Sequence, residues 1–101
     1  MPDRRPQRLA ALSEAILEAH LDALLLTSLP NIRYITGFSG TSALALVTPK
    51  EATLITDFRY QTQASAEVGD LARVVIEPQS LWTGLWRSLP TPTPAIVGFE
   101  S

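Results

Sequence analysis

The loop Gly37–Thr41 is the first place where residue types and spacing suggest chemistry. A nucleophile elbow has the form Gly-x-Ser-x-Gly between a strand and a helix, but Thr41 stands at the last glycine position and a strand is expected next. The candidate base, His20, lies at the end of the first predicted helix. A phosphate-binding loop would need more glycines and usually a lysine. We interpret the loop as a tight turn that leads into a strand. The alternative is a turn that also contacts a ligand or a second subunit.

Arg59 lies in the first turn of a predicted helix that Asp57 caps. A cation there opposes the helix dipole at a cost of about 0.3–1 kcal/mol, which suggests placement for another purpose. A guanidinium offers a rigid pair of donors to a carboxylate. Two interpretations stay open: an ion pair or solvation, or binding of a carboxylate from a ligand or a neighbouring subunit. Tyr60 is expected in the core or at its rim.

Asn31, Arg33 and Tyr34 form a polar cluster after the first predicted strand. Loops at the carboxyl ends of strands are where α/β folds tend to bind ligands. The alternative is ordinary anchoring of the loop, with Asn31 making its own turn hydrogen bond.

Trp82 and Trp86 share a face of the last predicted helix, away from its leucines. Tryptophan is enriched at interfaces, so the pair is expected either in the core or at an interface.

Composition excludes several classes of protein. The chain has no cysteine and one histidine, which excludes disulfide scaffolds and thiolate metal sites, and its acids are too scattered to assemble a metal site. Eight basic and ten acidic residues give a net charge of −2. We interpret the N-terminal arginines as a short tail and predict no nucleic-acid partner. No apolar run is long enough to span a membrane, and we expect a cytoplasmic protein.

Periodicity predicts an α/β fold with a mixed sheet. The predicted helices are 3–20, 58–68 and one capped by Ser80, and the predicted strands are 22–27, 42–48, 52–56, 72–77 and 95–99. The second and third strands form an antiparallel hairpin. Residues 28–37 are a loop or a short helix, and 91–94 are an extended link. The last strand looks central, which leads us to expect that the domain is truncated at its C-terminus.

Several segments together resemble one family. They are Asn31–Ser42 (NIRYITGFSGTS), Leu54–Tyr60 (LITDFRY), an opening Arg-x-x-x-Leu before Asp22–Leu26, and Val97–Glu100. This set resembles the N-terminal domain of Xaa-Pro aminopeptidases and prolidases, which are creatinase-like metallopeptidases. The resemblance covers nearly the whole chain.

The resemblance implies a ribonuclease-H-like, three-layer α/β/α fold with a five-stranded sheet in which one strand is antiparallel. It also implies a separate C-terminal catalytic domain. There, two Asp, two Glu and one His hold two divalent metals (manganese, cobalt or zinc), which activate water to cleave the bond before proline. None of those ligands maps onto this sequence, and neither does the family's helix after the last strand.

The resemblance further implies roles in dimerisation and in narrowing the neighbouring subunit's active site. The matching positions are 31–34, 38–41 and 58–60. The expected substrate or interface contacts are therefore Arg59, Tyr60, Phe58, Asn31, Tyr34, Phe38 and Ser39. The expected partners are the chain's own catalytic domain, a second copy, and proline-containing peptides bound by the whole protein.

Two other functions remain open. One is a peptidase-like binding module without catalysis, as in some histone chaperones. The other is the N-terminal domain of a creatinase-type amidinohydrolase. Metal ligands downstream of this chain would distinguish the enzymes from the binding module.

Overall fold

The structure is a computed structural model that describes residues 3–89 and 96–99. Along the chain its elements are α1 (Arg5–Glu18), β1 (Ala23–Leu26), α2 (Leu29–Thr36), β2 (Ala43–Val47), β3 (Ala52–Thr56), α3 (Gln61–Val68), β4 (Arg73–Ile76), α4 (Leu81–Ser88) and β5 (Val97–Phe99). Within these ranges no helix has the length and apolar character needed to cross a membrane.

The described strands form one mixed sheet in the order β4-β3-β2-β1-β5. β2 runs antiparallel to both of its neighbours, whereas β1 pairs in parallel with β5 and β3 with β4. Every residue of β2 and β3 is buried, because their short apolar runs are covered on both faces. The predicted hairpin and the predicted single antiparallel strand are confirmed.

Helices cover both faces of the sheet. On one face, Ile16 of α1, Ile32 of α2 and Val68 of α3 pack into a common core. On the other face, Leu85 of α4 packs against the sheet beside Ile55. The predicted α/β fold with a five-stranded mixed sheet is therefore confirmed.

Residues 28–37, predicted as a loop or a short helix, form the helix α2. Pro30 lies in its first turn, where the missing N–H is not needed. Gly37 ends the helix with φ of +85°, a conformation that glycine adopts without steric cost. The helix buries Ile32 and Ile35, and this packing stabilises a segment that local propensity leaves open. The predicted order of elements lacked this helix.

The predicted helix 58–68 begins differently from the expectation. Phe58–Tyr60 form a turn of 3-10 helix, and α3 follows. Asp57 accepts a hydrogen bond from the backbone N–H of Arg59 at 3.0 Å, which is the predicted cap. Gly69 follows the helix with a positive φ of +60°, as its predicted role as a stop requires.

The last strand does not lie at the centre of the sheet. Among the described strands only β1 pairs with β5, so β5 is an edge strand. Its pattern Val97-Gly-Phe99 is apolar, but Phe99 is 70% exposed. An apolar run alone does not distinguish a central strand from an edge strand, so the expectation of a central strand was wrong.

The two tryptophans of α4 do not lie in the core. Trp82 is 50% exposed and Trp86 is 71% exposed, because Leu85 occupies the buried face of the helix. The alternative that placed them in the core was wrong, and their role at an interface stays a prediction. The predicted extended link 91–94 lies outside the described residues.

Candidate functional site

Three of the predicted contact segments begin or end at one end of the sheet. The strands β1 and β3 run in the same direction, and β2 runs against them. The start of α2, the 38–41 loop and the turn 58–60 therefore share the end at which β1 and β3 terminate and β2 begins. Loops at this end of α/β sheets commonly form binding sites.

Aromatic packing fixes the shape of the 38–41 loop. Phe38 is buried and meets the ring of Tyr60 edge to face, with 5.5 Å between the ring centroids. The hydroxyls of Thr41 and Tyr60 are hydrogen-bonded at 2.6 Å, and this bond lowers the pKa of Tyr60. A Cβ atom at Gly40 would collide with the Phe38 ring, so the turn requires glycine there. Tyr60 thus lies at the rim of the core, as predicted.

Polar contacts attach the same loop to α3. The backbone N–H of Ser39 donates to Glu67 Oε1 at 3.0 Å, and the Ser39 hydroxyl donates to Glu67 Oε2 at 2.6 Å. Gln63 Nε2 donates to both Ser39 Oγ and Glu67 Oε1. These donors favour the ionised carboxylate and lower the pKa of Glu67.

Arg5 in turn holds the ends of two helices. Its Nη1 donates to the backbone carbonyl of Thr36 at 2.8 Å and to that of Glu67 at 2.6 Å. Both carbonyls lie in the last turns of helices, where a cation is favoured by the helix dipole. The guanidinium also pairs with Asp3, which lowers the pKa of that carboxyl to about 2. The interpretation of Arg5 as part of a tail was wrong.

Arg59 forms the ion pair that was one of its two predicted alternatives. Its Nε and Nη2 donate to the two carboxylate oxygens of Asp57 at 3.0 and 2.8 Å, and this lowers the pKa of Asp57. The guanidinium also lies 5.3 Å from the centroid of the Tyr60 ring. Asp57 therefore offsets the unfavourable helix dipole. The neighbouring Phe58 is 70% exposed, so this turn presents an aromatic ring and a cation at the surface.

The structure separates Tyr34 from this group. The guanidinium of Arg8 lies 4.0 Å from the centroid of the Tyr34 ring, and Arg8 Nη1 donates to the Tyr34 carbonyl at 3.0 Å. Tyr34 thus faces α1 in a depression of its own. Asn31 is exposed near the start of α2.

The arrangement provides groups that could bind a ligand. The Ser39 hydroxyl donates to a carboxylate, and His20, the chain's one histidine, follows the end of α1. Across residues 3–89 and 96–99, no three His, Asp or Glu side chains are placed to hold a metal.

Residues 8–101 match the family model described as the creatinase/prolidase N-terminal domain. The chain belongs to this family. The observed fold is the one that the sequence resemblance implied. The family resemblance inferred from the motifs at 31–42 and 54–60 is therefore confirmed.

The proteins that this chain resembles include peptidases. The N-terminal domain of a putative metallopeptidase from Corynebacterium diphtheriae is 33% identical with a TM-score of 0.84, over 97% of this chain and 77% of that one. The Xaa-Pro dipeptidase from Bacillus anthracis is 31% identical with a TM-score of 0.73, over 96% of this chain and 26% of that one. An uncharacterised peptidase of Bacillus subtilis, YqhT, is 48% identical over 48 residues, or 48% of this chain. The match spans only 14% of the length of YqhT.

Sequence reasoning missed the residues that hold the loop of this creatinase-type domain. Glu67 and Gln63 are four positions apart on α3, a spacing that predicts one polar stripe but not its partner Ser39. Arg5 contacts carbonyls 31 and 62 positions away, and no local pattern predicts such contacts.

The Glu67 carboxylate predicts a pH-dependent stability. Because its pKa in the folded protein lies below the ordinary value of 4.5, its stabilisation is complete above that value and is lost as pH falls through the folded-state pKa. We expect Glu67→Gln to lower the melting temperature most at neutral pH, with a difference from the wild type that shrinks in acid. Glu14→Gln, on the exposed face of α1, is the matched control. Thermal melts of both variants across pH check this, and a Glu67→Gln difference that is constant with pH would contradict it.

Proposed function

We propose that the chain is the non-catalytic N-terminal domain of a metal-dependent Xaa-Pro aminopeptidase or dipeptidase. In this role it pairs subunits and shapes access of proline-containing peptides to the active site. The observation that supports the proposal is the family match over 8–101. It is supported further by the exposed side chains of Phe58 and Arg59 at the end of the sheet where β1 and β3 terminate. The Xaa-Pro substrate class is supported by the B. anthracis dipeptidase, with 31% identity.

The catalytic metals belong to a second domain under this proposal. The described part of this chain has no cluster of metal ligands, so its residues do not fit a manganese, cobalt or zinc centre. We therefore assign hydrolysis to the chain's own C-terminal domain. We also propose that the protein is cytoplasmic.

An apolar surface on α4 and β5 supports a partner domain. A groove of about 160 Å³ there is lined only by apolar side chains, namely Leu25, Trp82, Leu85, Trp86, Leu89, Val97 and Phe99. Exposed apolar surface of this kind marks an interaction site. We assign it to the protein's own C-terminal region, since Phe99 of the last described strand lines the groove.

The rigid end of the domain supports contact with a second subunit. Phe58 is 70% exposed, and its turn is fixed by the Asp57–Arg59 pair and by Tyr60 packing on Phe38. An exposed aromatic ring beside a guanidinium is typical of residues that dominate binding at interfaces. We propose that this end contacts the other subunit of a homodimer near its active site.

The proposed assignment of hydrolysis to a second domain predicts that only the whole protein has peptidase activity. The purified 101-residue chain is expected to cleave no Xaa-Pro peptide in the presence of manganese, whereas the whole protein cleaves it. An assay of both with manganese, cobalt and zinc checks this. Cleavage by the 101-residue chain, or no cleavage by the whole protein with any of the three metals, would refute the proposal.

Arg59 provides a point test in the whole protein. Arg59→Ala is expected to raise KM or weaken the dimer by about tenfold, with little change in melting temperature, because the ion pair with Asp57 is exposed. Arg73→Ala, on the exposed edge of the sheet, is expected to change neither. Steady-state kinetics and sedimentation check the prediction. Wild-type KM and dimer affinity together with a lower melting temperature would make Arg59 purely structural.

A further inference from the structure

Arg33 faces an open depression at the same end of the sheet. The depression has a volume of about 410 Å³ and is lined by Leu29, Pro30, Arg33, Phe38, Ser39, Gly40 and Thr41. Arg33 is the one charged residue in this lining. The site therefore combines a single cation with an apolar wall from Leu29 and Pro30.

The Arg33 guanidinium is the group at this site whose donors remain available. Within the described part of the chain, Arg5, Arg8 and Arg59 all donate hydrogen bonds from their side chains. The Arg33 side chain has no hydrogen bond or ion pair there. Its charge acts on Glu67 from a distance and contributes to the lowered pKa of that carboxyl. No described residue thus accepts a hydrogen bond from the five N–H donors of this planar fork.

The remaining polar groups of the depression are already engaged within the domain. The Ser39 hydroxyl donates to Glu67 and accepts from Gln63, while the Thr41 hydroxyl is bonded to that of Tyr60. A ligand must therefore bring an acceptor for Arg33 and an apolar group for the wall. The depression lies at the start of α2, but Pro30 has no N–H to add to the donors of that turn. One guanidinium matches a carboxylate in bidentate geometry.

We propose that this depression binds the C-terminal carboxylate of a short free peptide. The carboxylate pairs with Arg33, and the apolar side chain of the last residue packs against Leu29 and Pro30. An aspartate or glutamate side chain has only one or two methylene groups beside its carboxylate, so it covers less of the apolar wall and fits less well. The inference rests on the proposed function in one respect: a peptidase takes up or releases such peptides. It assigns the carboxylate contact to Arg33, whereas the sequence analysis considered Arg59 for that contact.

The test uses the 101-residue chain without metal, so its outcome does not depend on peptidase activity. N-acetyl-L-leucine is titrated into the protein, and the backbone amide shifts of 39–41 are followed by NMR. Saturable shifts are expected at millimolar concentrations. N-acetyl-L-leucinamide, which lacks the charge, and acetate, which lacks the apolar group, are expected to bind at least about tenfold more weakly.

Variants identify the cation. Arg33→Gln is expected to weaken binding at least about tenfold, Arg33→Lys by less, and Arg73→Gln, on the exposed edge strand, not at all. Arg33 is exposed, and an unchanged amide spectrum elsewhere shows that each variant is folded. Three outcomes overturn the inference: no saturable shift at 39–41, equal binding of the amide and the acid, or wild-type binding in Arg33→Gln.

Discussion

The 38–41 loop at one end of the sheet depends on one guanidinium. Arg5 donates to backbone carbonyls in the last turns of α2 and α3, and leaving such carbonyls without donors would cost about 1–3 kcal/mol each. Glu67 connects Arg5 to the loop, because its backbone carbonyl accepts a hydrogen bond from Arg5 while its carboxylate accepts one from Ser39. The position of the 38–41 loop therefore follows from how Arg5 fixes the end of α3.

This arrangement suits the proposed role of a domain that positions groups for a partner. The loop and the turn 58–60 are braced from beneath by Phe38 and Tyr60, so their exposed side chains are held before any partner arrives. Preorganisation of this kind lowers the entropy lost on binding. The apolar groove on α4 and β5 lies on the opposite face of the sheet from α1, α2 and α3, so the partner domain proposed for the groove would leave the 38–41 loop and the turn 58–60 uncovered.

The sequence predicted the features that depend on residues close together along the chain, and it missed those that depend on residues far apart. The buried strands β2 and β3 and the Asp57 cap follow from neighbours within a few positions, and both were predicted. The sequence left 28–37 open between a loop and a short helix, because proline and glycine, here Pro30 and Gly37, are common in loops as well as at helix ends. Burial of Ile32 and Ile35 stabilises the helix. The Ser39–Glu67 bond joins residues 28 positions apart, and Arg5 reaches further still. Such contacts are set by the packing of helices on the sheet, which local patterns do not encode.

Hydrogen exchange at the Ser39 amide tests the role of Arg5 most directly, because that amide donates to Glu67 and opens with the loop. In the 101-residue chain, Arg5→Met is predicted to speed exchange at Ser39 by about tenfold or more, and by more than it speeds exchange in β3. Arg8→Met, which removes the contact with Tyr34, is predicted to leave the Ser39 rate unchanged. A wild-type Ser39 rate in Arg5→Met, or equal acceleration at Ser39 and in β3, would contradict this account.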